Sequence, residues 1–347
     1  MFVPDCKNIV KAAKNEKPAR IPLYEHSIAP EIMEKIQGEQ FAGLAGGGFS
    51  DKKEFYRHYI QFFIDMGYDA VNHECWAGAA MPGSGSLGGH KEGEIQNRND
   101  FDRYPWDSIP NLFFERYRDD LRAFGEILPE GMKGIGGVGN GVLECVQEIT
   151  GYENLCYIRA DDGELYRLLF QKTGDMLAEI YGRFLREYGD LYCVCRLGDD
   201  LGFKSGTLFP PEEIRELIIP QYRRIINVVH AAGKPLLLHS CGCIFSVMDD
   251  LIDAGIDAKH SNEEVIAPYS RWLNDYGARI GNFGGIDAAT LYDSSSVDIV
   301  SYATEVYKLC EAKGHGVAIG TGHSITSQSS VERYCQMVDT VRGLRGI

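Results

Sequence analysis

Short apolar segments alternate with longer amphipathic ones along most of the 347 residues of the chain. A short apolar run bounded by turn residues indicates a buried strand, whereas apolar residues at helical spacing indicate a helix. Eight strands are predicted, at Arg20–His26, Ala70–Glu74, Gly131–Val138, Leu191–Arg196, Pro235–His239, Ala258–Ser261, Arg279–Phe283 and Gly316–Ile319. Helices are predicted between and after them, at Glu54–Asp65, Phe113–Ile127, Glu164–Tyr188, Pro211–Ala232, Ile244–Ala254, Tyr269–Tyr276, Val297–Lys313 and Val331–Leu344. This order predicts an α/β fold, a single (β/α)8 TIM barrel, over residues 1–347.

Polar side chains collect where the predicted strands end. In a barrel of this kind the carboxyl ends of the strands meet at one opening, and the active site lies there. Five of the nine histidines fall at these ends, together with several acids and a cysteine. The residues are His26, His73, Glu74, Asn140, Asp199, Asp200, His239, Cys241, His260, Asp287 and His323. The sequence therefore predicts a polar site above the strands.

The pattern His239-Ser240-Cys241 directly follows an apolar run of three leucines and indicates a metal site. Residues two apart in an extended chain point to the same side, so the imidazole and the sulfur can converge on one point. Zinc is held by such donors, with a third protein ligand and an open position for substrate. The plainer alternative is a buried histidine beside an unreactive thiol.

The third ligand is predicted to be His323. Gly320 and Gly322 lead the chain out of the last predicted strand, and glycines let the backbone come close to a ligand. In a barrel, a metal above the axis is within reach of both the fifth and the eighth strand. The alternative third ligands are Cys243, His260 and Glu263.

Composition narrows the classes of partner. A formal charge of −15 and a pI near 5.1 argue against nucleic acids and anionic membranes, which bind to positive surfaces. Ten scattered cysteines and a start without the pattern of a signal peptide predict a cytoplasmic protein with free thiols. No apolar run reaches the length that spans a membrane.

A glycine-rich insertion is predicted around residues 76–100. Its central run, Gly78–Gly89, has too many glycines and serines for regular structure. Because the run follows the end of a predicted strand, it would lie over the barrel opening as a lid or a partner-docking loop. An insertion without function is the alternative.

Several segments, in order along nearly the whole chain, resemble one family, the uroporphyrinogen decarboxylase-like barrels. They are Arg20-Ile21-Pro22, Gly67-Tyr68-Asp69-Ala70, Asp199-Asp200-Leu201-Gly202, Pro210-Pro211-Glu212-Glu213, Ile219-Pro220, His239-Ser240-Cys241-Gly242, Gly255-Ile256-Asp257-Ala258 and Gly284-Gly285-Ile286-Asp287. The resemblance implies the same barrel fold.

The family contains tetrapyrrole decarboxylases and methyltransferases that work with a corrinoid protein. The decarboxylases resemble one another in an N-terminal segment whose arginines bind substrate carboxylates. The corresponding stretch here, Ile21–Pro30, has no arginine, and Glu25 would repel a poly-acid. The resemblance therefore favours the methyltransferase branch over a true uroporphyrinogen decarboxylase.

The methyltransferases that methylate coenzyme M resemble this chain in the His-x-Cys pattern, which His239 and Cys241 match. Their late zinc ligand is a cysteine after a glycine, whereas this chain has Gly322-His323. A His/Cys/His site leaves zinc with a net positive charge, which suits it to polarise a neutral ether oxygen. An O-methyl substrate is therefore expected.

The predicted function is zinc-dependent methyl transfer between a small methylated compound and the cobalamin-type corrinoid of another protein. The zinc ligands are His239, Cys241 and His323. Asp199, Asp200 and Glu74 are the candidate catalytic acids, although capping of backbone amides would equally explain Asp199 and Asp200. The predicted substrate-binding residues are His26, His73, His260 and Asp287.

Two other functions are weighed against this one. The first is a metal-independent decarboxylase or lyase that acts on a tetrapyrrole-like or other small acid through Asp199 or Glu74. The second is a non-catalytic protein that binds and delivers a cofactor. The chain has no cobalamin-binding Asp-x-His-x-x-Gly motif, so a corrinoid would have to arrive on a partner or as free cofactor. Homodimerisation through the helices is left open.

Overall fold

A computed structural model describes residues 2–89 and 91–346 of the chain. Positions 1, 90 and 347 lie outside the described residues, and position 90 belongs to the predicted glycine-rich insertion. The strands of the described residues are β1 Val71–Trp76, β2 Gly134–Gly139, β3 Tyr192–Gly198, β4 Gly202–Phe203, β5 Gly206–Thr207, β6 Leu236–His239, β7 Ala258–His260, β8 Gly281–Ile286 and β9 Val317–Thr321.

Seven of these strands form one parallel sheet in the order β1-β2-β3-β6-β7-β8-β9. Each of the seven pairs with the next of the seven along the chain. This order arises because a helical connection returns the chain to the same end of the sheet. The two remaining strands, β4 and β5, form a small antiparallel hairpin after β3. The result is an α/β fold with a curled parallel sheet.

The predicted first strand, Arg20–His26, makes only a single bridge to the sheet. Leu23 pairs with Ile319 in the parallel sense, and Ile319 donates to the carbonyl of Pro22 at 2.9 Å. On the other side, the Asn72 side chain donates to the carbonyl of Glu25. Proline has no N–H to donate, so Pro22 limits regular pairing here. Seven strands are confirmed, and the closed eight-stranded barrel stays a prediction.

The interior of the curled sheet is filled by small and apolar residues near the amino ends of the strands. Helix α1, Lys7–Ala13, packs beneath β3, β8 and β9 and contributes to this core. The buried cluster consists of Ile9, Ala12, Ala13, Tyr24, Ala70, Ile135, Cys193, Val194, Leu237, Ala258, Phe283 and Ala318. Because this end is closed, the opening at the carboxyl ends of the strands, called the mouth below, is the accessible end.

The helices after α1 pack mainly outside the sheet. They are α2 Pro30–Gln37, α3 Phe49–Asp65, α4 Arg98–Arg103, α5 Ile109–Ile127, α6 Val142–Thr150, α7 Tyr152–Asp161, α8 Gly163–Tyr188, α9 Pro211–Glu213, α10 Ile219–Ala231, α11 Met248–Ala254, α12 Tyr269–Tyr276, α13 Ile299–Lys313 and α14 Val331–Leu344. Short 3-10 helices lie at Ala42–Gly46, Gly78–Ala80, Trp106–Ser108, Gly189–Leu191, Phe245–Val247 and Ala288–Leu291. Within the described residues no helix is long and apolar enough to cross a membrane.

The predicted helix Pro211–Ala232 is interrupted. A π-helical turn at Ile214–Ile218 separates α9 from α10. Pro220 lies two residues after the end of this turn, and proline cannot donate the backbone hydrogen bond of a regular helix. A wider turn before the proline accommodates that loss.

The predicted insertion around residues 76–100 is anchored beside α6. Ile95 is fully buried and donates its N–H to the carbonyl of Ile149 at 2.8 Å. Ser86 donates in the same way to the carbonyl of Glu148 at 3.3 Å. Among the described residues of this stretch, the short helix Gly78–Ala80 and the start of α4 are regular.

Candidate functional site

The end of β6 delivers His239 and Cys241 to the mouth side by side. The Nε2 atom of His239 lies 3.4 Å from the Sγ atom of Cys241. The histidine is buried and the cysteine is partly buried. The next residue, Gly242, turns the chain sharply with φ +81°, and a Cβ there would lie 2.2 Å from the backbone of Gly202. Glycine is therefore required immediately after the pair.

Asp200 brings a carboxylate to the same point. Its Oδ1 atom lies 3.8 Å from Nε2 of His239 and accepts a hydrogen bond from the N–H of Cys241 at 2.8 Å. One ligand atom each of Asp200, His239 and Cys241 lie within 4.8 Å of one another. Oxygen, nitrogen and sulfur donors are the set that zinc accepts in proteins. These three residues can hold a metal with little rearrangement.

The predicted third ligand, His323, lies outside this group of three residues. Its ring centroid is 6.3 Å from that of His239, and the side chain is exposed. Among the described residues, the groups with ligand atoms within 4.8 Å of one another include neither His323 nor the alternatives Cys243 and Glu263. His323 would have to turn toward Cys241 to complete a site.

A second group, called the imidazole cluster, consists of His26, His239 and His260. The rings of His26 and His239 are stacked, with centroids 3.6 Å apart and planes 13° apart. The Nδ1 atoms of His239 and His260 lie 2.8 Å apart, and Nε2 of His260 lies 2.8 Å from the carbonyl oxygen of Thr321. Burial lowers the pKa of His260 to about 3 and the pKa values of His26 and His239 well below their usual range. Burial thus favours the neutral form of all three rings, which is the form that binds a metal.

A buried ion pair between Glu74 and Arg196 lies beside the imidazole cluster. Arg196 donates from Nε and Nη2 to the two carboxylate oxygens of Glu74, at 2.9 and 2.8 Å. Its Nη1 atom donates to the hydroxyl of Tyr24 and to the carbonyl of His26. Arg196 was not among the predicted site residues. The available signal was a single arginine at the end of the apolar strand Leu191–Arg196.

A cavity of about 330 Å³ opens from the mouth above this ion pair. Its walls include His26, Tyr59, Asn72, Glu74, Trp76 and Arg196. Trp76 stands at the rim with 58% of its surface exposed. The floor is polar and the walls are partly aromatic, so the cavity suits a small molecule with both kinds of surface.

Three of the predicted site residues make hydrogen bonds that stabilise the fold, and one of them, His73, also lines the cavity described above. Asp199 is fully buried and accepts hydrogen bonds from the N–H groups of Leu143 and Glu144 at the start of α6 and from the Tyr222 hydroxyl. His73 is the second of the three. Its two ring nitrogens lie 2.8 Å from the hydroxyl of Tyr56 and 2.6 Å from that of Tyr192.

The third is Asp287, which caps the turn Ala288–Leu291 by accepting from the N–H of Ala289 at 2.8 Å. It also accepts from the N–H of Glu264 at 3.0 Å. Capping of backbone amides is the alternative interpretation given above for Asp199 and Asp200. For Asp199 and Asp287 it describes the contacts that the structure contains.

The thiol of Cys241 is supported by Lys259, which lies in β7, and by Ser261, which directly follows β7. The Ser261 hydroxyl donates to Sγ of Cys241 at 3.6 Å, and Lys259 donates to the backbone carbonyl of Ser261. Lys259 is buried against the ring of Trp272, with its Nζ atom 3.8 Å from the ring centroid. Burial raises the pKa of the Cys241 thiol and lowers the pKa of Lys259 to about 7. The available signal for this residue was a lysine inside the short predicted strand Ala258–Ser261.

Comparison with solved structures finds the same fold in a methyltransferase from Methanosarcina mazei. The TM-score is 0.72 at 15% sequence identity, over 97% of this chain and 98% of that chain. The 3-keto-D-glucoside 4-epimerase from E. coli matches with a TM-score of 0.47 at 12% identity, over 84% and 94% of the two chains. A xylose isomerase-like TIM barrel protein from Mycobacterium smegmatis gives 0.42 at 10% identity, over 86% and 91%. The last two scores are too low to support an argument.

No curated protein sequence matches the chain significantly. The model of the family described as uroporphyrinogen decarboxylase (URO-D) matches residues 136–344. This range runs from β2 to the end of α14 and contains both His239 and Cys241. It covers well over half of the chain and confirms the resemblance seen in the sequence motifs. The chain belongs to the uroporphyrinogen decarboxylase family.

Proposed function

We propose that this protein is a zinc-dependent methyltransferase that moves a methyl group between a small O-methyl compound and a corrinoid carried by another protein. The contact between Nε2 of His239 and Sγ of Cys241, at 3.4 Å, is the observation that carries the proposal. Family membership and the fold of the Methanosarcina mazei methyltransferase support it.

His239 and Cys241 would hold the zinc, and either Asp200 or His323 would complete the protein ligands. When bound, zinc supplies a Lewis acid at the oxygen or sulfur atom that loses or receives the methyl group. Asp200 has a partly exposed carboxylate beside Cys241, so it can accept or return a proton at the leaving atom if His323 takes the ligand position.

The cavity above the ion pair of Glu74 and Arg196 favours a neutral substrate. The charges of Glu74 and Arg196 cancel in their bidentate ion pair, and Arg196 is only 2% exposed. A substrate with several carboxylates would need free guanidinium groups, and the fully engaged Arg196 does not offer one. A methyl ether with one aromatic or apolar face fits the aromatic walls at Tyr59 and Trp76 better.

The corrinoid partner is proposed to dock at the mouth. Trp76 and Phe203, at the end of β1 and on the β4–β5 hairpin, are 58% and 61% exposed. Large exposed aromatic side chains are frequent in protein interfaces. Trp76 is the last residue of β1 and Phe203 follows β3, so a partner that covers both would bring its cofactor to the zinc site.

The direct test is methyl transfer from methoxylated aromatic compounds to a reduced corrinoid, with protein loaded with zinc. We expect methylation of the corrinoid in the parent and none in Cys241→Ser, because the thiolate is needed to hold the metal. The matched control is Cys243→Ser, which changes the next cysteine along the chain and is expected to retain activity. Equal turnover of a small acid by the parent and Cys241→Ser, without methyl transfer, would instead support the metal-independent lyase.

A further inference from the structure

We infer that His260 is a positioning residue that sets the tautomer of His239, so that the free lone pair of His239 lies on Nε2 and points toward Cys241. The inference deepens the proposed function and rests on it for the identity of the metal. The hydrogen bonds that carry it belong to the protein alone and can be tested without metal.

The tautomer of His260 is set by a backbone carbonyl. The oxygen of Thr321 lies 2.8 Å from Nε2 of His260, and a carbonyl oxygen can only accept a hydrogen bond. Nε2 of His260 therefore carries the proton. In a neutral imidazole the other nitrogen then has a lone pair, so Nδ1 of His260 is an acceptor.

The tautomer of His239 follows from that of His260. Its Nδ1 atom lies 2.8 Å from Nδ1 of His260, a distance at which one of the two nitrogens must donate. Because Nδ1 of His260 accepts, Nδ1 of His239 donates. The lone pair of His239 is thereby left on Nε2, the atom that faces Sγ of Cys241 at 3.4 Å.

The contacts of Cys241 agree with this direction. Ser261 donates its hydroxyl hydrogen to Sγ of Cys241 at 3.6 Å. In the metal-free protein the thiol hydrogen can then be donated to the Nε2 lone pair of His239. A metal that replaces this hydrogen is bound by the same two atoms.

The position of His260 is fixed from the backbone side. Thr321, at the end of β9, is itself held by Glu25, whose Oε2 atom accepts from the Thr321 N–H at 3.0 Å. The ring of His260 is fully buried and packs edge-on against the ring of Tyr24, with centroids 5.1 Å apart. The acceptor on His260 is therefore presented by rigid elements, which is what a support of a metal ligand requires.

These hydrogen bonds also decide between the two groups that could hold a metal. In the imidazole cluster the lone pair of His260 is already used by His239. The stacked rings of His26 and His239 direct their lone pairs within nearly parallel planes, 13° apart, and the ring centroids are 3.6 Å apart, so one ion beside the rings cannot lie in both planes. The metal is therefore assigned to the side of Cys241 and Asp200.

The first experiment measures the tautomers in the metal-free protein, by nitrogen-15 NMR of labelled histidine side chains. We expect His239 as the Nδ1–H tautomer and His260 as the Nε2–H tautomer. The variant His260→Phe keeps an aromatic ring but removes the acceptor. In this variant His239 is expected to lose its preference for the Nδ1–H tautomer. His26→Phe keeps the stacked ring and the hydrogen bond, and it should leave the tautomer of His239 unchanged.

The second experiment measures the affinity for Zn²⁺ alone, by competition with a chelator. His260→Phe is expected to weaken binding by about 10- to 100-fold, as loss of a hydrogen bond to a ligating histidine does in other zinc sites. His260→Gln should restore most of the affinity, because its amide oxygen can accept from His239 while its N–H donates to Thr321. His26→Phe should bind Zn²⁺ with the affinity of the parent.

The outcomes separate this inference from the proposed function. If His239 is the Nε2–H tautomer, or if His260→Phe in a folded protein weakens Zn²⁺ binding less than about threefold, the inference is wrong. If the tautomers are as expected but the parent binds no Zn²⁺, the positioning of His239 stands and the proposed function fails.

Discussion

Arg196 forms a two-point ion pair with Glu74 inside the mouth, with Nε–Oε1 and Nη2–Oε2 distances of 2.9 and 2.8 Å. We expect Glu74→Leu to lower the free energy of unfolding by about 3–5 kcal/mol, because the guanidinium would stay buried without a counter-charge. Urea unfolding measures the change. The double variant Glu74→Leu with Arg196→Met removes both charges and should be more stable than the single variant. A free energy of unfolding of Glu74→Leu within about 1 kcal/mol of the parent value would contradict a buried Arg196 that is paired with Glu74.

Asp199 and Asp200 are neighbours with different expected roles. Asp199→Asn should lower the free energy of unfolding by about 1–3 kcal/mol, because one of its carboxylate oxygens, which accept from the start of α6 and from Tyr222, becomes an amide. Zinc content should not change, because the Asp199 side chain contacts α6 and Tyr222, and its contact with His239 is made by the backbone N–H, which Asn retains. Loss of zinc with unchanged stability would show that Asp199 belongs to the metal site.

The third ligand can be identified by comparing Asp200→Asn with His323→Gln. The Asp200 carboxylate already lies 3.8 Å from Nε2 of His239, whereas the His323 ring centroid lies 6.3 Å from that of His239. We therefore expect Asp200→Asn to weaken Zn²⁺ binding more in the absence of substrate. Chelator competition at fixed pH checks this order. The reverse order would support His323, the ligand expected from the sequence.

Glu25 makes stability depend on pH. Burial raises the pKa of this carboxyl from 4.5 to about 8, so the folded state keeps a proton that the unfolded state has lost. The stabilising effect of that proton is fully present below pH 4.5 and is lost as the pH rises toward 8. The slope from this group approaches about 1.4 kcal/mol per pH unit.

The matched variant for this prediction is Glu25→Gln, which cannot ionise. Its stability, from urea unfolding at several pH values, should fall less steeply than that of the parent between pH 4.5 and 8. Parallel curves would mean that Glu25 is ionised in the folded protein.

Much of the fold could be predicted from the sequence because strands and helices differ in apolar spacing. The helices Tyr269–Tyr276 and Val331–Leu344 have the predicted ends, and β6 begins one residue after the predicted Pro235. The short helices α1, α2, α4, α6 and α7 were missed, because brief segments carry too little periodicity. Regular pairing of Arg20–His26 was overpredicted, because apolar content does not report the donor that Pro22 lacks.

The site could be predicted only where local spacing fixes geometry. Two residues of one strand end, His239 and Cys241, meet as the pattern requires. Contacts between distant segments, such as Arg196 with Glu74 and His260 with Thr321, depend on the register of neighbouring strands. His73 shows the same limit, since its partners Tyr56 and Tyr192 come from distant segments of the chain.

Zinc content, measured by elemental analysis of protein purified without chelators or a histidine tag, tests the central proposal most directly. We expect about one zinc per chain in the parent and in Cys243→Ser, and none in Cys241→Ser, since a three-ligand site cannot lose its thiolate and keep the metal. Absence of zinc from the parent after expression with added zinc, or equal zinc in the parent and Cys241→Ser, would contradict a metal site on His239 and Cys241.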